Sequence, residues 1–254
     1  MKFALLVEYD GTRYFGFQYQ TGVPTIQGEL EKAIKKVTGE MVRIKGAGRT
    51  DAGAHAKGQV VSFESETSLP LANFVRALNF YLPRDIAVRA GREVPSDFDA
   101  RRSALSREYR YVILNSPTPS SLLYRRALLL SKRLDVERMS QGAKMLVGEH
   151  NFAPFAGSLG CRNPRRRILW AEVNRKGKLV LFDVEADSFL PQQVRRMTAA
   201  LIRLGLGKLA LEEFQELIDC GKVGAARWVA PPYGLYLTRV NYPNLELFAG
   251  WENS

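Results

Sequence analysis

The stretch Gly46-Ala47-Gly48-Arg49-Thr50-Asp51-Ala52-Gly53-Ala54-His55-Ala56 is the part of this chain best suited to chemistry. Its glycines and alanines leave almost no side-chain bulk, so another backbone or a ligand can approach closely. Its polar groups are Arg49, Thr50, Asp51 and His55, and Asp51 is the only acid between Glu40 and Glu64. A neighbouring arginine favours the ionised form of an aspartate. Such a carboxylate can attack an electrophilic carbon or abstract a proton. The same residues also fit a plain Asp-Ala-Gly turn in which Asp51 bonds its own backbone.

Other chemistries lack their residues. There is no GxxxxGK[ST], no GxGxxG after a strand and no HExxH, so nucleotide-driven, nicotinamide and zincin reactions are unsupported. Cys161 and Cys220 lie far apart, and only His55 and His150 could assist them. No metal site is expected, and the two thiols read as reduced and without special role. What remains is cofactor-free acid, base or nucleophile chemistry.

The elements that must position Asp51 follow from hydrophobic period. Phe3, Leu5, Val7 and Tyr9 alternate along a strand over 2–9, and Ile26, Leu30, Ala33, Ile34 and Val37 make one stripe of a helix over 25–38. Thr25 is its expected N-cap and Gly39 its stop. Strands over 40–46 and 58–64 flank the Gly-rich loop, a helix covers 71–81, and a strand covers 85–94. The order is β-α-β-β-α-β. It repeats loosely: a strand at 107–114, a helix capped by Asp135, strands at 167–174 and 178–186 around a turn at Arg175-Lys176-Gly177, helices at 191–204 and 211–219, and a strand at 235–241. The fold class expected is α+β, two ferredoxin-like (split βαβ) halves whose antiparallel sheets merge into one, helices on one side. The boundary falls near residue 104. Residues 1–104 form the domain carrying the Asp51 loop, and 105–254 a domain completing an RNA-binding cleft. The loops at 115–124 and 154–166 read as basic or polar surface for RNA.

The balance of 37 basic against 26 acidic residues gives a net charge of +11, which concentrates polyanions. The arginines cluster: Arg162, Arg165, Arg166 and Arg167; Arg101, Arg102, Arg107 and Arg110; Arg125 and Arg126; Arg195, Arg196 and Arg203. Arginine forks match phosphate well. No apolar run approaches the roughly 18 residues that span a bilayer. The N-terminal apolar stretch is short and carries Glu8 and Asp10, unlike a signal peptide. A soluble, cytoplasmic chain with no membrane partner is expected.

GAGRTDAGAHA resembles the GRTDxGVHA signature of the tRNA pseudouridine synthase A family. Seven further segments are similar to that family's, in order from about residue 5 to 242: VEYDGTRYFGFQYQ, TIQGEL, ALNFYLPRDIAV, FDARRSALSREYRYVI, VGEHNFAPF, FLPQQVRRM and APPYGLYLTRVNY. Asp99 stands where the family usually has His, Ala54 where it has Val, and Pro191-Gln192-Gln193 replaces a His- and Met-containing triplet.

The resemblance implies a tRNA pseudouridine(38-40) synthase that needs no cofactor and acts on uridines at positions 38, 39 and 40 of the anticodon arm. It implies Asp51 as the catalytic carboxylate, with attack on C1′, attack on the uracil ring and removal of a ribose proton all open to it. Tyr109 would stack on a flipped base, although it also fits a strand-face core aromatic alternating with Tyr111. Arg195 would pair with the catalytic Asp, leaving Arg196 as a solvated helix arginine. Arg49 would position phosphate or the flipped nucleotide, and Leu235 would pack on the uracil. A homodimer holding one tRNA with both subunits is implied as well. The competing class is a non-catalytic RNA-binding module. It has no use for an acid in a Gly/Ala loop, and the chain lacks the aromatic pattern of an RNA-recognition sheet.

Overall fold

The computed structural model describes residues 1–160 and 163–243; Cys161 and Arg162 lie outside them. Among the described residues, five α-helices and ten strands make a mixed α+β fold with a mostly antiparallel sheet. The chain divides into two compact units. The first is Met1–Arg107 with the described residues from Leu237 on, and the second is Glu108–Tyr236. The chain thus changes unit after Arg107 and again after Tyr236.

In the first unit, β1 (Lys2–Tyr9) lies between β3 (His55–Glu64) and β4 (Ile86–Glu93), antiparallel to both. The short β2 (Lys45–Gly46) pairs with β3. The expected strand over 40–46 is thus reduced to its last two residues. Helix α1 (Ile26–Thr38) begins where Thr25 Oγ1 accepts from the Gly28 N–H at 3.2 Å, a cap that contributes about 1 kcal/mol. It ends where Gly39 turns left-handed at φ 79°. Helix α2 (Leu71–Tyr81) supplies Phe74, which meets Phe3 of β1 and Phe63 of β3 at ring distances of 5.9 and 6.2 Å. Phe3 and Phe63 face each other across the strand pair. This triad is the centre of the first core, and truncating Phe74 to Ala would cost about 3–5 kcal/mol.

In the second unit, β5 (Ser106–Asn115) carries Tyr109, Tyr111 and Ile113 on its buried face, as the alternation predicts. A three-residue strand, β6 (Leu128–Leu130), runs parallel to it. Strands β7 (Gly148–Asn151), β8 (Arg165–Lys176) and β9 (Leu179–Ala186) are antiparallel neighbours. β6 and β7 were not foreseen, being too short to show a period. Helices α3 (Val136–Met145), α4 (Gln193–Gly205) and α5 (Leu211–Asp219) cover this part, and Asp135 caps α3 by accepting from the Arg138 N–H at 3.0 Å. The segment read as polar loop from 154 contributes Phe155, fully buried against Phe152 and Phe214. β10 (Leu235–Asn241) ends the described elements. No helix among the described residues is long and apolar enough to cross a membrane.

Candidate active site

Asp51 sits half-buried in the loop between β2 and β3, and that loop is fastened from several directions. Its entrance is tied to β3. The Ala47 N–H donates to the Val60 carbonyl at 2.8 Å, and the Gln59 amide brackets Gly48, donating to its carbonyl at 2.8 Å and accepting from its N–H at 3.3 Å. The buried Arg107 guanidinium donates to the Ala47 carbonyl from Nε and Nη2. Its middle is tied to the segment after β1: the Phe17 N–H donates to the Thr50 carbonyl at 3.1 Å, and the Gly53 N–H to the Tyr14 carbonyl at 3.2 Å. Thr50 itself is buried, and its hydroxyl shares a 2.8 Å hydrogen bond with the Tyr9 phenol. Burial raises the Tyr9 phenol to about 12, against the pull of Thr50 and Gln59. The Ala54 N–H closes the turn on the Asp51 carbonyl at 3.1 Å.

Two close approaches explain the glycines at 11 and 16, where the clamping segment meets the loop. A Cβ built on Gly11 would lie 1.9 Å from the Ala54 carbonyl oxygen, and one on Gly16 would lie 2.8 Å from the Thr50 carbonyl oxygen. Backbone meets backbone at both places, so neither contact can yield cheaply. His55, almost fully buried, fixes the exit: its Nδ1 accepts from the Gly11 N–H at 3.1 Å and lies 3.2 Å from Asp10 Oδ1. Asp85 adds a second anchor, accepting from the Tyr14 phenol at 2.5 Å and from Arg13 Nε at 2.8 Å. Burial and the Asp85 carboxylate both push the Tyr14 phenol up. Arg49, two residues before Asp51, is exposed, and among the described residues its side chain has no hydrogen bond or ion pair.

Tyr109, Arg195 and Leu235 belong to the second unit. The Tyr109 ring is 8% exposed and meets Phe189 edge-on at 5.1 Å, so it presents little more than an edge to solvent. Arg195 lies in the first turn of α4, where its charge opposes the helix dipole. Carbonyl acceptors offset this. Arg195 Nε donates to the Ala230 carbonyl at 2.7 Å, and the Ala230 N–H donates back to the Arg195 carbonyl at 3.1 Å. The Tyr111 phenol donates to the Pro231 carbonyl at 2.7 Å. Burial pushes that phenol up, and the nearby Arg195 charge pulls against it. Arg195 and Tyr111 therefore brace the segment that leads into Leu235, which is 6% exposed at the start of β10. Arg196, expected to be solvated, instead donates to the Ala226 carbonyl at 2.6 Å and to Gln192 Oε1 at 3.3 Å. Burial, and then Arg195, lower its basicity.

The departures from the family pattern are accommodated locally. Gln193 is buried and accepts from the Leu190 N–H at 2.8 Å, while Gln192 holds a left-handed backbone at φ 62°. Asp99 is held below the usual carboxylate range. Burial acts the other way, but the backbone N–H groups of Arg102 and Arg101 and the Lys45 ammonium outweigh it. The sequence singled out the loop without its clamps. Gly11, Gly16, Tyr9 and Tyr14 stood in plain view in YDGTRYFGF, yet nothing local tells that these residues seat a loop some forty positions on. Among the described residues, no three His, Cys, Asp or Glu side chains gather as for a metal.

The geometry offers one half-buried carboxylate on an immobilised, side-chain-poor loop beside an exposed arginine. It is a means of holding an acid still. The family model described as tRNA pseudouridine synthase matches residues 5–101 and 143–243. A protein called tRNA pseudouridine synthase A in Methylacidiphilum infernorum is 41% identical over 95% of this chain and 95% of its own. One of the same name in Roseiflexus castenholzii is 43% identical, covering 94% and 90%. Another in Legionella pneumophila is 41% identical, covering 96% and 93%. With matches of this extent, the chain belongs to the tRNA pseudouridine synthase family, isomerases that act on tRNA.

Proposed function

We propose that this enzyme isomerises uridine to pseudouridine at positions 38, 39 and 40 of the tRNA anticodon stem-loop, with Asp51 as the reacting carboxylate. The reaction breaks the N1–C1′ bond, turns the uracil and rejoins it through C5. N1 gains a proton and C5 loses one, so the atoms balance without any oxidant, reductant or co-substrate. The observation that carries the reading is the loop around Asp51. A base must leave its stack to be isomerised, at a cost of a few kcal/mol. The acid awaiting it must not move, because a misplacement of about 1 Å can forfeit about a hundredfold in rate.

In this reading Arg49 takes a phosphate of the flipped nucleotide. Tyr109 lends a ring edge and a phenol to the base, Arg195 orients the carboxylate by charge and hydrogen bonding, and Leu235 packs against the uracil. The protein works in the cytoplasm as a homodimer, with both subunits sharing one tRNA. Sedimentation of the full chain with and without tRNA tests that last point, and a monomer bound to tRNA at full activity would refute it.

The central experiment incubates the protein with unmodified tRNA and maps pseudouridine by carbodiimide-dependent reverse-transcription stops. The wild type gives stops at 38–40. Asp51→Asn binds the same tRNA and gives none. Stops that persist in Asp51→Asn would remove Asp51 from the chemistry. Stops elsewhere would move the substrate position.

A further inference from the structure

A shallow cavity of about 320 Å³ opens on the second unit where the end of β5 meets the turn joining β8 to β9. Asn115, Ser131, Arg133, Arg175 and Lys178 form its polar wall, and neither a carboxylate nor an aromatic ring lines it. Its frame is rigid. Arg175 Nη2 donates to Asn115 Oδ1 at 2.9 Å and to the Leu134 carbonyl at 3.0 Å. Asn115 is itself fully engaged. Its Oδ1 also accepts from the Leu134 N–H at 3.0 Å, its Nδ2 donates to the Leu130 and Lys132 carbonyls, and its N–H donates to the Lys178 carbonyl at 2.8 Å. Arg133 and Lys178 are exposed, and among the described residues their side chains form no hydrogen bond or ion pair.

Three like charges around one hollow repel one another and attract an anion. Without a ring to stack a base, the hollow suits a phosphate and not a nucleobase. Asn115 lies six residues beyond Tyr109 on β5, about 20 Å at the rise of a strand. That is too far for the phosphate of a nucleotide held at Tyr109, but within the span of the same RNA. We infer that Arg133, Arg175 and Lys178 form a phosphodiester-binding site that grips the RNA substrate by its backbone, away from the reacting nucleotide. The inference rests on the tRNA-isomerase reading above.

The test uses the full chain, unmodified tRNA and the double variant Arg133→Ala/Lys178→Ala. Arg175 is left in place because it also supports the backbone at Leu134. Removal of two phosphate contacts makes the plot of log affinity against log salt shallower by about 1.5, and KM for tRNA rises. Arg133→Lys/Lys178→Arg keeps the charges and restores both. If the wild type makes pseudouridine while the alanine variant keeps the wild-type salt slope and KM, the site is overturned. Inorganic phosphate is titrated alone in parallel. Phosphate binding that the alanine variant loses, with its tRNA binding unchanged, assigns the hollow to a free anion and also overturns the RNA site. A wild type that makes no pseudouridine from tRNA removes the reading on which the inference stands.

Discussion

Each half has a pair of antiparallel strands joined by one connection, and the two connections differ in kind. In the first, β2 and β3 are joined by residues 47–54, the loop of Asp51. In the second, β8 and β9 are joined by Gly177 and Lys178 alone. The tight turn sustains itself, since Gly177 supplies the positive φ of 59° that a two-residue hairpin needs at its first central position. It is free to display charge, and does so. The long loop cannot sustain itself, and its shape is set by backbone groups of residues 11–17 pressed against it. The greater length of the Asp51 loop is offset by contacts recruited from elsewhere in the chain.

The largest effect should come from breaking that recruitment without touching an acid. In Gly11→Ala, the new methyl meets the Ala54 carbonyl at 1.9 Å, so one of two backbones must shift by an ångström or more. Asp51 moves with the loop, and kcat should fall by about a hundredfold or more while tRNA binding by the basic surface persists. Single-turnover pseudouridine formation measures it, and turnover near wild type would show that the loop tolerates displacement. Next comes Tyr109→Phe, which keeps the ring against Phe189 and removes only the phenol. On the proposed role of Tyr109 at the base, this should lower kcat by about tenfold or more while the chain still folds. Wild-type turnover would return Tyr109 to the role of core aromatic, which its 8% exposure also allows.

A smaller effect probes the frame itself. Tyr9→Phe leaves the buried Thr50 hydroxyl without its 2.8 Å partner, which should cost about 1–3 kcal/mol. The wild type should also lose stability in alkali. Tyr9, Tyr14, Tyr111 and Tyr242 all carry raised phenol pKa values, desolvation by burial being the first cause. A phenol raised above its unfolded value of about 10 stabilises the fold fully below that pH. The contribution is lost as pH rises through the folded value, about 12 for Tyr9. Denaturant midpoints followed by circular dichroism should therefore fall from about pH 10 upward, with tyrosinate absorbance appearing alongside. Midpoints flat to pH 12 would mean that these phenols ionise without unfolding the chain.

What the sequence disclosed depended on range. Helix α1 was legible to its caps because Thr25 and Gly39 act on neighbours within four residues, and β5 because burial alternates along it. The strand expected over 40–46 failed because its apolar alternation had only β3 to pair with over two residues. Phe155 was hidden in a basic-looking segment because its partner, Phe214, comes from a helix far along the chain. At the site, the acid and its arginine could be singled out from composition. The clamp could not, since a Tyr-Asp-Gly segment reads as an ordinary turn until the carbonyl of Ala54 is seen against Gly11. Arg196 showed the same limit, its carbonyl partner at Ala226 being thirty residues away.

The smallest predicted effect isolates the other connection. A Cβ on Gly177 meets nothing within 4 Å, so Gly177→Ala suffers no collision and only the left-handed backbone at φ 59° resists it. That strain is about 1 kcal/mol, which lowers the melting temperature of a chain of this size by about 2–4 °C. Gly11 has the reverse character, an unexceptional backbone and no room. The pair therefore separates two reasons for a glycine: left-handed φ within the β8–β9 turn, and close approach in the segment after β1 that clamps the Asp51 loop. Calorimetry of both variants reads the difference. If Gly177→Ala destabilised the chain as much as Gly11→Ala, the tight turn would be as dependent on its surroundings as the Asp51 loop, and the contrast between the two connections would fail.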